Sequence, residues 1–184
     1  IKVLLSKTKG LYPAQTRLGQ IVGFNNRTAE LYMPAYSGGL GSNPKNHLYR
    51  VSLKNGYGKI YAKGNKSTIG WFVDETGNLL AREDFDKNSK QHRIFSKVSG
   101  KWKPIYRHNA DIPEISPQAV SSDATKLLFL KGQGNNEAIF SLSLLDGSIQ
   151  GPLYSRSQTD VGDLLTNINR TFIAVKYSGF KPGY

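Results

Sequence analysis

One unit recurs along this chain with a period of about 45 residues, and that repeat limits the fold more than any other feature. Its clearest part is a hairpin. Leu48-Tyr49-Arg50-Val51-Ser52-Leu53 runs into Asn55-Gly56 and returns through Lys59-Ile60-Tyr61-Ala62. Ile94-Phe95-Ser96-Lys97-Val98 turns at Ser99-Gly100 and returns through Pro104-Ile105-Tyr106-Arg107. Ile139 to Leu144 turns at Asp146-Gly147 and returns through Pro152-Leu153-Tyr154-Ser155. The turn glycines lie 44 and 47 residues apart, and the closing tyrosines 45 and 48. Asn-Gly and Asp-Gly close hairpins well because their backbones accept positive φ.

A second strand pair precedes each hairpin. These pairs are Ile21-Val22-Gly23-Phe24 with Glu30-Leu31-Tyr32-Met33, Trp71 to Asp74 with Asn78 to Ala81, and Ala119 to Ser121 with Lys126 to Phe129. A fourth copy begins with Asp163 to Thr166 and Thr171 to Val175. Helical periodicity is nearly absent, and Gly, Asn, Asp and Ser punctuate the short apolar runs. A repeated four-strand unit predicts an all-β fold of antiparallel β-propeller blades; a β-sandwich has short strands but no reason to repeat four at a time. The predicted blades are residues 19–64, 69–110 and 115–157, with a half blade over 160–184. Lys2-Val3-Leu4-Leu5 reads as the last strand of a preceding blade, followed by a linker to residue 18. Three and a half blades predict a segment of a larger ring, since closure takes about four to eight.

The blade residues resemble the N-terminal propeller of prolyl oligopeptidase-type serine peptidases, in particular bacterial dipeptidyl-aminopeptidase and acylaminoacyl-peptidase relatives. The stretches that carry the resemblance are Leu4-Leu5-Ser6 through Leu11-Tyr12-Pro13, Leu31 to Tyr36, Leu48 to Val51, Trp71 to Asp74 with Ala81 to Asp84, and Tyr177 to Phe180. It implies a propeller that packs over an α/β-hydrolase domain and restricts which peptides reach its active site. The partner it implies is therefore a peptide substrate, and between compartments it favours the periplasm slightly over the cytoplasm. The family's nucleophile lies downstream of the propeller. These 184 residues contain no G-x-S-x-G elbow, so no catalytic residue and no cofactor site is expected here.

The remaining candidates are weaker. Zero Cys removes disulfides, thiolate metal sites and cysteine nucleophiles. His47, His92 and His108 read as surface or turn histidines, with no Ser or carboxylate fixed beside them by spacing. Glu83, Asp84 and Asp86 read as a solvated strand end rather than a cation site, because Arg82 and Lys87 flank them. Adjacent strand residues point to opposite faces, so Glu83-Asp84 is a poor paired site for a substrate amine. The segment Gly38-Gly39-Leu40-Gly41-Ser42 lacks the ending of a phosphate loop. It sits in a long connection, which makes Gly38, Gly39, Gly41 and Ser42 a candidate substrate-path loop. Tyr61, Tyr106 and Tyr154, recurring once per blade, are expected to pack between blades.

The net charge of +12 is concentrated. Residues 1–64 carry ten bases and one acid, 65–112 nine and six, and 113–184 six of each. That excess invites a nucleic-acid reading. The bases are scattered singly, without interleaved exposed aromatics, so a solvated basic surface is expected instead. No apolar run approaches the roughly 18 residues of a membrane helix. The reading of a different class is a stand-alone propeller that binds protein, glycan or nucleic acid on its loops.

Overall fold

The computed structural model describes residues 4–5, 8–15, 19–156 and 159–177. Three four-stranded antiparallel sheets follow one another, each in simple chain order. The first is β1(Gly23–Asn25), β2(Glu30–Ser37), β3(Lys45–Ser52) and β4(Gly58–Ala62). The second is β5(Thr68–Val73), β6(Leu79–Asp86), β7(Gln91–Ser96) and β8(Lys103–Asn109). The third is β9(Ala119–Val120), β10(Lys126–Gln133), β11(Asn136–Ser143) and β12(Ile149–Tyr154). A two-stranded sheet of β13(Val161–Thr166) and β14(Phe172–Tyr177) completes the described strands. The repeat thus becomes three blades and the first half of another. Of the expected leading strand, Lys2 and Val3 lie outside the described residues, and Leu4 and Leu5 sit in a turn. Leu5 is buried against Leu31, Met33, Tyr49 and Val51 of the first sheet. Among the described residues no helix is long and apolar enough to cross a membrane.

The turns explain why the period is so regular. Each third-to-fourth-strand turn has a left-handed glycine: Gly56 (φ 76°), Gly100 (84°) and Gly147 (81°). Gly147 is doubly constrained, because a Cβ there would collide with the Ile105 carbonyl of the second sheet. The first-to-second-strand turns use another device. Asn25 Oδ1 accepts from the Arg27 amide, and Asn167 Oδ1 accepts from the Asn169 and Thr171 amides. Asp74 Oδ1 accepts from the Thr76 and Asn78 amides. These side-chain bonds mimic a backbone turn. They hold Ala29 and Arg170 left-handed (φ 53° and 59°) where the sequence has no glycine.

The core is layered between sheets. Val22, Tyr32 and Leu48 meet Trp71 and Val73 at the first junction. Phe72, Leu80 and Ile94 meet Leu127, Phe129 and Leu142 at the second. Ala119, Leu128 and Ile139 meet Val161 and Leu164 at the third. One turn ties the layers together. Arg170, between β13 and β14, donates to the Gln118 and Pro117 carbonyls at 3.0 Å each and to Trp71 O at 3.4 Å. Its guanidinium also lies 4.4 Å from the Phe72 ring centroid. Asn169 Oδ1 accepts from the Phe24 amide of β1. A single loop of the fourth unit therefore touches all three preceding sheets.

Candidate functional site

The connection between successive sheets and the turn between a sheet's second and third strands emerge at the same end of each antiparallel blade. At that end a cleft of about 550 Å³ opens between the first and second sheets. Four separate segments build it, one of them Gln20 ahead of β1. Pro34, Tyr36 and Asn46 come from the β2–β3 hairpin near its tip, and Lys66, Ser67 and Thr68 from the β4–β5 connection and the start of β5. Phe85, Asp86, Lys87 and Asn88 come from the end of β6 and the turn after it.

A buried polar network fixes the floor. Asp84, 1 % exposed, accepts from Thr68 Oγ1 at 2.8 Å, Asn65 Nδ2 at 2.9 Å and the Arg82 guanidinium at 3.0 Å. Asn65 Oδ1 in turn accepts from the Ser67 amide at 2.7 Å. A buried carboxylate needs such partners, and these also set where Lys66 and Ser67 stand. On the neighbouring segment of the same wall, Asp86 Oδ1 accepts from the Asn88 and Ser89 amides at 3.0 and 3.3 Å. Those amides, the Ser89 bond first, hold the Asp86 carboxyl below its ordinary range, and Lys66 and Ser67 add to the effect. The turn that carries Lys87 is thereby held in place.

Asn46 lies in the wall, buried at 7 % exposure. Its Nδ2 donates to Thr68 O at 3.2 Å, but its Oδ1 has no partner among the described residues. An orphaned buried acceptor costs about 1–3 kcal/mol. Next to it, His47 Nδ1 accepts from the Gly64 amide at 3.1 Å. Burial first, then Lys45 and Lys63, push His47 below its ordinary value.

The loop Gly38, Gly39, Gly41 and Ser42 caps the β2–β3 hairpin at this same end, but none of the four lines the cleft. Ser42 Oγ donates to Gly39 O at 2.7 Å, and the Gly38 amide to Gly10 O at 3.2 Å. The loop is folded back on its own base and on the leading segment.

Two expectations need correction. Glu83 and Asp84 are not solvated, and His92 is not at the surface: they are 5, 1 and 0 % exposed. Glu83 Oε1 bonds His92 Nε2 at 2.9 Å on one face of the second sheet, and Asp84 joins its network on the other. Both faces are buried because this sheet lies between two others. His47 is buried as well; only His108, beside Glu114, remains half-exposed on its strand. The three acids are thus directed at three different sets of partners, and Glu83 and Asp84 are already engaged within the protein. Among the described residues no group of three or more His, Cys, Asp or Glu could hold a metal ion.

The repeated tyrosines divide. Tyr61 bridges the first and second sheets, meeting Tyr32 edge-on at 5.2 Å and donating to Gly77 O at 2.9 Å. Tyr106 packs at the second junction, where burial and then Glu114 push its hydroxyl up to about 12. Tyr154 is 38 % exposed, for its neighbour has only two strands.

No family model matches the sequence, and no curated protein matches it. Among solved structures the chain is similar to the crystal structure of TolB from Acinetobacter baumannii, with a TM-score of 0.50 and 10 % sequence identity. The match covers 86 % of this chain and 37 % of that one, so the chain spans little more than a third of that neighbour's length. Likeness at this identity speaks for fold alone. Together with the sheet order, it makes the chain a β-propeller module of about three and a half four-stranded blades.

Proposed function

We propose that the chain is a non-catalytic recognition module whose ligand binds at the end where the β2–β3, β4–β5 and β6–β7 connections gather. The observation that carries this is the cleft itself: concave, partly apolar and ringed by polar groups that a buried network holds in position. Its volume of about 550 Å³ suits a few residues of peptide or a small molecule rather than a folded surface.

The resemblance to prolyl oligopeptidase-type propellers supports a finer reading. In it, the module restricts peptide access to an α/β-hydrolase domain outside these residues, as part of a larger ring. Its support is the blade motifs, Trp71 to Asp74 and Ala81 to Asp84 among them; the matches to known proteins add nothing to it. A stand-alone adaptor differs only in what the recognition serves.

The test is hydrogen exchange on the chain with and without a pool of short peptides. Protection should concentrate in Tyr36 to Asn46, Lys63 to Thr68 and Phe85 to Ser89. Protection confined to the outer strands β4, β8 and β12 would overturn the reading. So would hydrolysis of aminoacyl or dipeptidyl esters by the chain that a serine-directed inhibitor abolishes.

A further inference from the structure

We infer that the cleft between the first two sheets takes a carboxylate joined to an apolar group and an amide N–H, the chemistry of a peptide's C-terminal residue. This rests on the recognition reading above and names its ligand class.

The cleft offers three kinds of contact. The first is positive charge. Lys66 and Lys87 stand on neighbouring segments of the second sheet at the rim of the cleft, both exposed, and each is set by a tied turn. Asp86 lies between them and opposes an anion. Its charge is already met by the Asn88 and Ser89 amides and by Lys66, which leaves Lys87 as the uncommitted cation. Charge focused at a concave opening raises the local concentration of anions.

The second contact is an acceptor. Asn46 Oδ1 is buried at the cleft wall without a donor. A ligand that brings an N–H relieves that cost; a simple inorganic anion does not. The third is apolar surface from Pro34, Tyr36 and Phe85 beside these polar groups. Cation, acceptor and apolar wall together match a terminal carboxylate, the amide N–H preceding it and the last side chain. A free N-acylated amino acid carries the same three groups.

Calorimetric titration of the chain separates the possibilities with three probes: Ala-Ala-Phe as the free acid, the same tripeptide as its C-terminal amide, and N-acetylphenylalanine. The free acid should bind about tenfold more tightly than the amide, the scale of one charge-assisted hydrogen bond. Lys87→Gln should erase that preference and Lys66→Gln reduce it. Both lysines are exposed, so thermal melting should show both variants folded. Equal binding of N-acetylphenylalanine and the free acid would support a small carboxylate as the ligand; tighter binding of the tripeptide would support a peptide end. If acid and amide bind alike in wild type, the carboxylate inference is overturned and the recognition reading stands. If none of the probes binds, and the peptide pool protects nothing at this end, both are overturned.

Discussion

The first and last junctions between sheets are built from the same repeat and finish differently. Between the first and second sheets the apolar layer is sealed by Trp71, Leu48 and Tyr32, and Tyr61 of β4 reaches the β5–β6 turn of the second sheet. What stays open there is a polar, basic cleft at the loop end. Between the third and fourth sheets the inner layer is also sealed, by Ala119, Leu128, Val161 and Leu164. Farther out lies a groove of about 450 Å³ lined by Leu153, Tyr154, Phe172 and Val175. The tripeptides Pro104-Ile105-Tyr106 and Pro152-Leu153-Tyr154 make the cause visible. Ile105, covered by the third sheet, is 9 % exposed, whereas Leu153, facing a two-stranded neighbour, is 51 % exposed. The two openings therefore differ in polarity. The apolar groove lies at a sheet edge whose apolar side chains are left uncovered among the described residues. The polar cleft lies between two four-stranded sheets and is the one we assign to recognition.

The sharpest way to break this contrast is to empty each junction in turn. Trp71→Ala removes a fully buried ring from the sealed junction and should cost about 3–5 kcal/mol, read as a shift in the urea midpoint at constant slope. Phe172→Ala, at the half-open groove, removes less buried area and should cost about 1 kcal/mol. Equal losses would mean that the fourth sheet is as fully packed as the second, and the distinction between the two junctions would fail.

Arg170 tests whether the two junctions are coupled. Its bonds to Trp71, Pro117 and Gln118 link the first half of the fourth sheet to the second and third. Burial lowers its pKa, with Glu83 acting in the opposite sense. Arg170→Ala should cost about 2–3 kcal/mol, because three carbonyls lose a charged donor. Protection from hydrogen exchange should fall in β13–β14 and also in β5. A loss confined to β13–β14 would show that the turn is only a local tether.

The repeat was legible because its turns have a chemistry that sequence exposes. Gly56, Gly100 and Gly147 all sit at positive φ, where the hairpin reading needed them. Burial was less legible. Alternation along a strand encodes water on one face, and an inner sheet has water on neither, so Glu83, Asp84 and His92 looked exposed and are not. The site was partly legible. Gly38, Gly39, Gly41 and Ser42 lie at its end of the molecule, but its walls come from residues some 20 positions apart that no contiguous motif announces. Of the cations that excess charge drew attention to in residues 1–64, none lines the cleft; its two lysines, Lys66 and Lys87, come from the next stretch of chain.

The smallest expected effect is a pH dependence confined to the first junction. His47 is held below 6.5 in the folded chain by burial and by Lys45 and Lys63. As pH falls through 6.5, the unfolded chain takes up a proton that the folded chain still refuses. The His47 contribution is therefore complete above that pH and is lost progressively below it. Protonation would also remove the acceptor of the Gly64 amide, since Nδ1 cannot both carry a proton and accept one. Between pH 7 and pH 5.5 the protection factor of the Gly64 amide should fall, while those of β13–β14 amides hold. The chain's three histidines lie in the first two sheets, so the last junction has no comparable group. His47→Asn should flatten the Gly64 response. A parallel fall at both junctions would instead report global loosening, and would remove pH as a means of telling them apart.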